Sequence, residues 1–177
     1  MIFRGRARHV TVWQRFRSGH DGFTFAESPE GHFEAHVAAN AERAVDLMYV
    51  LSEHLPPAVD VHLVDQRTKS AWDATDVALP DVRDVIARLK IPLATYAGVD
   101  LSIYTPDDQL SLTAELDLYA YGRSDRWLYL LQARGLEQYR AVAHRAWRGQ
   151  PWDRTPAPVL TTAIASAVER LGLVVTA

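Results

Sequence analysis

Cysteine is missing from all 177 residues, so no disulfide staples the fold and no thiolate is on hand as nucleophile or metal ligand. That absence is compatible with a reducing cytosol. No stretch of 18 apolar residues occurs, so no transmembrane helix is expected. The N-terminal Met1-Ile2-Phe3-Arg4-Gly5-Arg6-Ala7-Arg8 carries positive charge but no apolar h-region behind it, so it does not read as a secretory signal. The expected location is cytoplasmic. Lysine is scarce, with two against seventeen arginines, which reads first as codon usage and only second as a recognition feature.

Catalytic and cofactor signatures are missing too. There is no G-x-S-x-G elbow, no phosphate-binding Walker loop, no G-x-G-x-x-G turn and no H-E-x-x-H helix. These gaps remove specific reasons to assert an enzyme, and no cofactor is expected. Repeats, low-complexity tracts and long linkers are absent as well, so residues 1–177 are read as one domain.

What the chain does have is ordinary globular composition, 48% apolar and 23% charged, which argues against disorder. Its charge is unevenly spread. Residues 1–20 hold five arginines and no acid, residues 21–117 hold 18 acids against six bases, and residues 118–177 hold eight bases against four acids. Such blocks either neutralise each other inside the fold or present a two-signed surface to a partner, and internal neutralisation is the more economical reading.

Periodicity predicts the elements. Alternation at Val10–Trp13, Phe23–Phe25 and Phe33–Val37, separated by turn clusters at 18–22 and 28–31, predicts three short strands in a meander. Asn40 caps a helix whose stripe is Ala44, Leu47, Met48, Leu51 and Leu55, stopped by Pro56-Pro57. Val59, Val61 and Leu63 predict a strand, and residues 66–79 a polar loop. A second helix runs from Pro80 to Pro92 on Val82, Val85, Ile86 and Leu89. Val99–Ile103, a long alternation over 110–120 and residues 126–133 predict a second meander. The stripe Leu136, Tyr139, Val142, Ala143, Ala146, Trp147 predicts a helix. A final helix, capped by Thr155 with Pro156 or Pro158 in its first turn, carries Leu160, Ile164, Ala167, Val168 and Leu171 and stops at Gly172. Grouped strands with helices between them predict an α+β fold: an antiparallel sheet of about 6–7 strands in two meanders, helices on one face, the other face wet.

Three constellations could carry chemistry. His32, Glu34 and His36 share one strand face and are of the types zinc accepts, yet extended positions i and i+4 stand about 13 Å apart. One ion would need a bulge, or His20 in place of one histidine; the row reads more simply as a hydrated strand face. Ser111, Thr113, Glu115, Asp117, Tyr119 and Tyr121 share one side of the long alternation, with Asp100, Tyr104, Asp60 and His62 on neighbouring strands. Glu115 and Asp117 would be the acid/base pair and His62 and Tyr119 their support, provided a cavity desolvates them. Without one they are solvated side chains. The third is His144–Arg154, where Arg148, Trp152 and Arg154 are the binding candidates, because Trp and Arg dominate interface hot spots. Trp147, on the predicted stripe, reads as a core anchor.

The basic stretch Arg4, Arg6, Arg8, Arg15, Arg17 could grip phosphates, but no nucleic-acid module accompanies it, and pairing with Glu27, Glu30 or Glu34 across strands is simpler. The expectation is a non-catalytic protein-interaction module, self-association being one form of that role, with a protein or a second copy as partner, no membrane and no nucleic acid. The alternative is a small-ligand binder or enzyme working on the polar sheet face through Glu115, Asp117, His62 and Tyr119.

Overall fold

The structure is a computed structural model and describes residues 21–142 and 157–176. The chain begins with a hairpin of β1 (Gly22–Glu27) and β2 (Phe33–Ala38), then helix α1 (Ala41–Ser52). A second hairpin, β3 (Ala58–Asp65) and β4 (Ser70–Ala78), leads into α2 (Leu79–Tyr96). Strands β5 (Val99–Tyr104), β6 (Asp108–Leu112) and β7 (Leu118–Gly122) form a meander followed by α3 (Arg126–Ala133). The two-residue β8 (Glu137–Gln138), helix α4 (Pro158–Leu171) and the two-residue β9 (Val174–Val175) complete the described part.

The nine strands among the described residues join one sheet in the order β8-β1-β2-β7-β6-β5-β3-β4-β9. Every pairing is antiparallel except β1 with β8, so the sheet is mixed and wider than the 6–7 antiparallel strands expected. The fold is α+β. Among the described residues no helix is long and apolar enough to cross a membrane.

Register divides the sheet into two faces. Phe23, Val37, Leu118, Leu112, Leu101 and Leu63 stand opposite one another in turn, forming a continuous apolar row across six strands. A second row runs Ala35, Ala120, Leu110, Ile103, Val61. These residues are buried with the stripes of α1, α2 and α4 in a single core, so the helices lie over this face. Removing a leucine or isoleucine side chain from water is worth roughly 1.5–3 kcal/mol, and that gain fixes which side of each strand faces in. The opposite face stays half exposed.

Local signals explain the helix ends. The Asn40 side chain accepts from the Arg43 N–H at 3.0 Å, as an N-cap should. Gly172 stops α4 in the left-handed region at φ 61°. Helix α2 runs through Pro92 to Tyr96 rather than ending at the proline. Pro92 withholds one donor, but Leu89 and Leu93 on either side of it are buried in the core. The Arg67 guanidinium donates to the carbonyls of Tyr96 and Ala97 at 2.6 and 2.7 Å, holding the helix's negative end.

Four segments depart from expectation. Residues 70–78 are not a loop: they form β4, paired with β3 after a turn in which Asp65 accepts from the Arg67 N–H at 2.9 Å and Lys69 takes φ 59°. Polar side chains do not prevent a backbone from joining a ladder, and Trp72 packs against the core from this strand. Residues 110–120 are two strands, not one. Residues 126–133 are helix α3, burying Trp127 and Leu131 four positions apart. Residues 137–138, expected as helix, run extended along β1 instead. The strand expected at Val10–Trp13, the Thr155 cap and positions 143–147 of the expected helix lie outside the described residues.

Candidate functional site

The chain reverses at 113–117. Thr113 N–H donates to the Asp117 carbonyl at 2.9 Å, Leu116 N–H to the Thr113 carbonyl at 2.8 Å, and Leu116 takes φ 64°. The Asp117 N–H donates to Thr113 Oγ1 at 3.2 Å. The reversal sets Tyr119 opposite Ser111 and Tyr121 opposite Gln109. It also carries Tyr119 opposite His36 on β2.

Following the register outward gives the polar face its design. One row reads Thr24, His36, Tyr119, Ser111, Ser102, His62, Asp73, one residue from each of seven neighbouring strands. Beside it runs Glu34, Tyr121, Gln109, Tyr104, Asp60. Gln109 Nε2 donates across to Ser111 Oγ at 2.7 Å, and the Ser111 and Ser102 hydroxyls bond at 2.8 Å. Ser102 stands directly opposite His62, whose Nδ1 is in contact with the Asp73 carboxylate.

At the β1–β2–β7 end the face deepens. The His36 ring lies flat on the Tyr119 ring, centroids 4.4 Å apart and planes 4° off parallel, and Tyr121 continues the stack at 6.2 Å. Asp117, only 4% exposed, sets Oδ1 3.5 Å from Nε2 of His36, which is 6% exposed. A recess of about 750 Å³ opens here between Thr24, Glu34, His36 and Tyr119 on one side and Tyr139 and Arg140 on the other. The far wall exists because residue 22 is glycine: a Cβ there would run into the Tyr139 ring. The Tyr139 N–H anchors the wall on the Phe23 carbonyl at 2.8 Å, and its hydroxyl donates to Glu137 at 2.8 Å.

Electrostatics follow from that layout. Burial and then the carboxylates and phenol around it, Asp117 first, push the Tyr119 phenol up to about 12 from its ordinary 10.0. Burial and then Glu34 raise Tyr121 as well. Both phenols are therefore neutral donors at physiological pH. A group harder to deprotonate in the folded than in the unfolded chain gives a contribution that is full below pH 10.0 and fades as pH climbs through about 12. Tyr119→Phe is expected to flatten that alkaline decline, read as the loss in urea-unfolding free energy between about pH 9 and pH 11.5. An equal decline in both proteins would place the alkaline sensitivity elsewhere.

The sequence candidates are distributed as follows. Tyr119 and His62 do project from the polar face, but β6 and β5 stand between their strands, so the two side chains are beyond mutual contact. Glu115 and Asp117 sit in the turn instead of on a strand, Glu115 exposed and Asp117 buried against His36, so they do not form a matched pair over one surface. His32 is exposed just before β2 while His36 is buried, and among the described residues no group of three His, Asp or Glu side chains is placed to hold a metal ion. Arg148, Trp152 and Arg154 lie outside the described residues. Sequence reasoning missed the 138–142 wall, whose one local signal is the glycine at 22.

As chemistry, the ladder at Asp73–His62–Ser102 has the residue types of a nucleophile relay. Acyl transfer also needs donors aimed at a developing oxyanion, and the amides of β3 and β5 are engaged in their own ladders. The face presents hydroxyls, rings and carboxylates. A separate groove of about 780 Å³ lies between α2 and α4, lined by Val85, Leu89, Val159 and Ala163. No protein-family model matches the chain, nor does any curated protein or solved structure.

Proposed function

We propose that this chain is a non-catalytic protein-binding module whose working surface is the polar face of its sheet. The observation that carries the reading is the continuous row Thr24–His36–Tyr119–Ser111–Ser102–His62–Asp73, which crosses seven strands on the side away from the helices. Tyr119 within it and Tyr121 and Tyr104 in the row beside it bring large contact area at little entropic cost, and its hydroxyl network is already ordered before a partner arrives. Its carboxylates would repel phosphate, which agrees with the absence of a nucleic-acid signature.

The test is a peptide and fragment screen read by amide chemical shifts on the full chain. Binders are expected to move Thr24, Ser102, Ser111 and Tyr119 together and to lose affinity in Tyr119→Ala. Binders that map only to the α2–α4 groove would move the working surface there and end this reading. Light scattering over a concentration series decides separately whether the partner is a second copy.

A second reading, a small-ligand site, is favoured by the recess at His36 and Tyr119. A ligand seated there raises the melting temperature according to its occupancy, and Gly22→Ala, by displacing Tyr139, should abolish that rise.

A further inference from the structure

Charge in this fold is sorted by face. On the helix side and at the rim, most of the described arginines and lysines are paired with carboxylates: Arg43 with Asp21, Arg83 and Arg134 with Glu53, Arg88 with Asp84, Lys90 with Asp46, Arg126 with Asp108, Arg170 with Asp81. Arg67 instead donates to the Tyr96 and Ala97 carbonyls, and Lys69 to Gln66. The polar sheet face follows a different rule. Glu34, Asp60, Asp73 and Asp100 are on it with Asp117 at its turn, and among the described residues no lysine or arginine occupies a strand position paired there. Among the described residues the carboxylates of this face that meet a ring nitrogen meet histidine, Asp117 beside His36 and Asp73 beside His62. Arg140 stands only at the rim, on the wall of the recess. Among the described residues, neutralisation by lysine and arginine is thus concentrated on the helix side and rim and does not extend to the paired strand positions of the polar face.

Resting on the reading of this face as the binding surface, we infer that its partner is an extended, arginine- and lysine-rich segment of another protein. The complementarity has three parts. Glu34, Asp60 and Asp73 are partly or fully exposed and spaced along the face, so they meet successive cationic side chains without deep desolvation. Tyr104, Tyr119 and Tyr121 stand among them, with hydroxyl oxygens that can accept hydrogen bonds from guanidinium groups. The recess gives one side chain a pocket at the β1 end. Six inter-strand steps of about 4.8 Å carry the row about 29 Å from Thr24 to Asp73, a distance that an extended segment covers in about nine residues.

The experiment titrates the isotopically labelled full chain with a peptide of about nine residues alternating arginine and glycine, and with matched glutamate–glycine and serine–glycine peptides. The arginine peptide is expected to shift Thr24, Ser102, Ser111, His62 and Tyr119, and to weaken about tenfold as ionic strength rises from about 0.05 to 0.2 M. Glu34→Gln with Asp73→Asn should weaken it about tenfold again, and Asp46→Asn on the helix side should leave it unchanged. Should the double variant be unfolded by circular dichroism, the salt dependence and the shift map of the unaltered chain decide alone.

Binding indifferent to salt, or shifts confined to the helices, would overturn the inference. If the serine or glutamate peptide moves the face and the arginine peptide does not, the charge inference falls while the binding face stands. If no peptide moves it, both fall. If changing Arg4, Arg6, Arg8, Arg15 and Arg17 to glutamine raises the peptide's affinity about tenfold, the cationic segment is the chain's own and the separate partner is ruled out.

Discussion

Trp127→Ala is expected to lower the free energy of unfolding by about 3–5 kcal/mol, the range for deleting a fully buried indole and leaving a hole that its neighbours cannot fill. The side chain is 0% exposed, and its Nε1–H donates to the Tyr121 carbonyl at 3.0 Å. The Arg126 guanidinium covers the ring at 4.6 Å while holding Asp108 at 2.7 Å. The indole is so close to β7 that a Cβ on Gly122 would lie 2.9 Å from Nε1. Helix α3 has only Trp127 and Leu131 as buried residues, so the tryptophan is half of its anchorage. Trp127→Phe should recover part of the loss, restoring volume but not the hydrogen bond. Urea unfolding of the three proteins checks this; a loss below about 1 kcal/mol for the alanine variant would mean that α3 is not fastened through this ring.

Which parts of this architecture the sequence made legible follows from range. The α1, α2 and α4 stripes, the Asn40 cap and the Gly172 stop are set by residues within a turn or two of each other, and they are readable locally. Strands β1, β2, β3 and β5 are equally plain because each alternates over one core face. Helix α3 reads as a strand because its apolar residues are too dense to separate period 2 from period 3.6 over eight positions. Strand β4 reads as a loop because a strand next to the sheet's edge need bury little, and its identity lies in partners far along the chain.

The 110–120 segment misleads for a subtler reason. In the β6–β7 hairpin Leu112 faces Leu118 and Leu110 faces Ala120, so partners differ by an even number of residues. Even positions therefore stay on the core face after the chain has turned round, and the alternation passes through the reversal unbroken. Even the turn keeps it, because Ala114 and Leu116 are buried at the sheet's end: Ala114 accepts from the Gly98 N–H at 2.8 Å and donates to Asp100 at 2.7 Å. The same parity explains why the candidate face is half visible in the sequence. Tyr119, Ser111 and His62 can be assigned to one side of a sheet, but which of them touch depends on strand order, which pattern does not encode.

Asp117 is where that hidden information concentrates. It ends the reversal, receives Thr113 through its own carbonyl, and brings a buried carboxylate beside a buried imidazole that is itself stacked on Tyr119. Asp117→Ala removes the carboxylate and leaves the buried ring facing a vacated site; withdrawing a polar group from a buried partner costs about 1–3 kcal/mol, and the lost volume adds to it. Asp117→Asn keeps the shape and one acceptor oxygen, so it should cost distinctly less. The two variants also separate stability from function. The asparagine variant should preserve the His36–Tyr119 stack and the shift map of the binding face, whereas the alanine variant should disturb Thr24, His36 and Tyr119 together. Urea unfolding supplies the energies and amide shifts the map. If both variants proved as stable as the parent and left those three residues unmoved, the carboxylate would be a bystander. The order of the binding face would then have to come from the ring stack and the serine network alone.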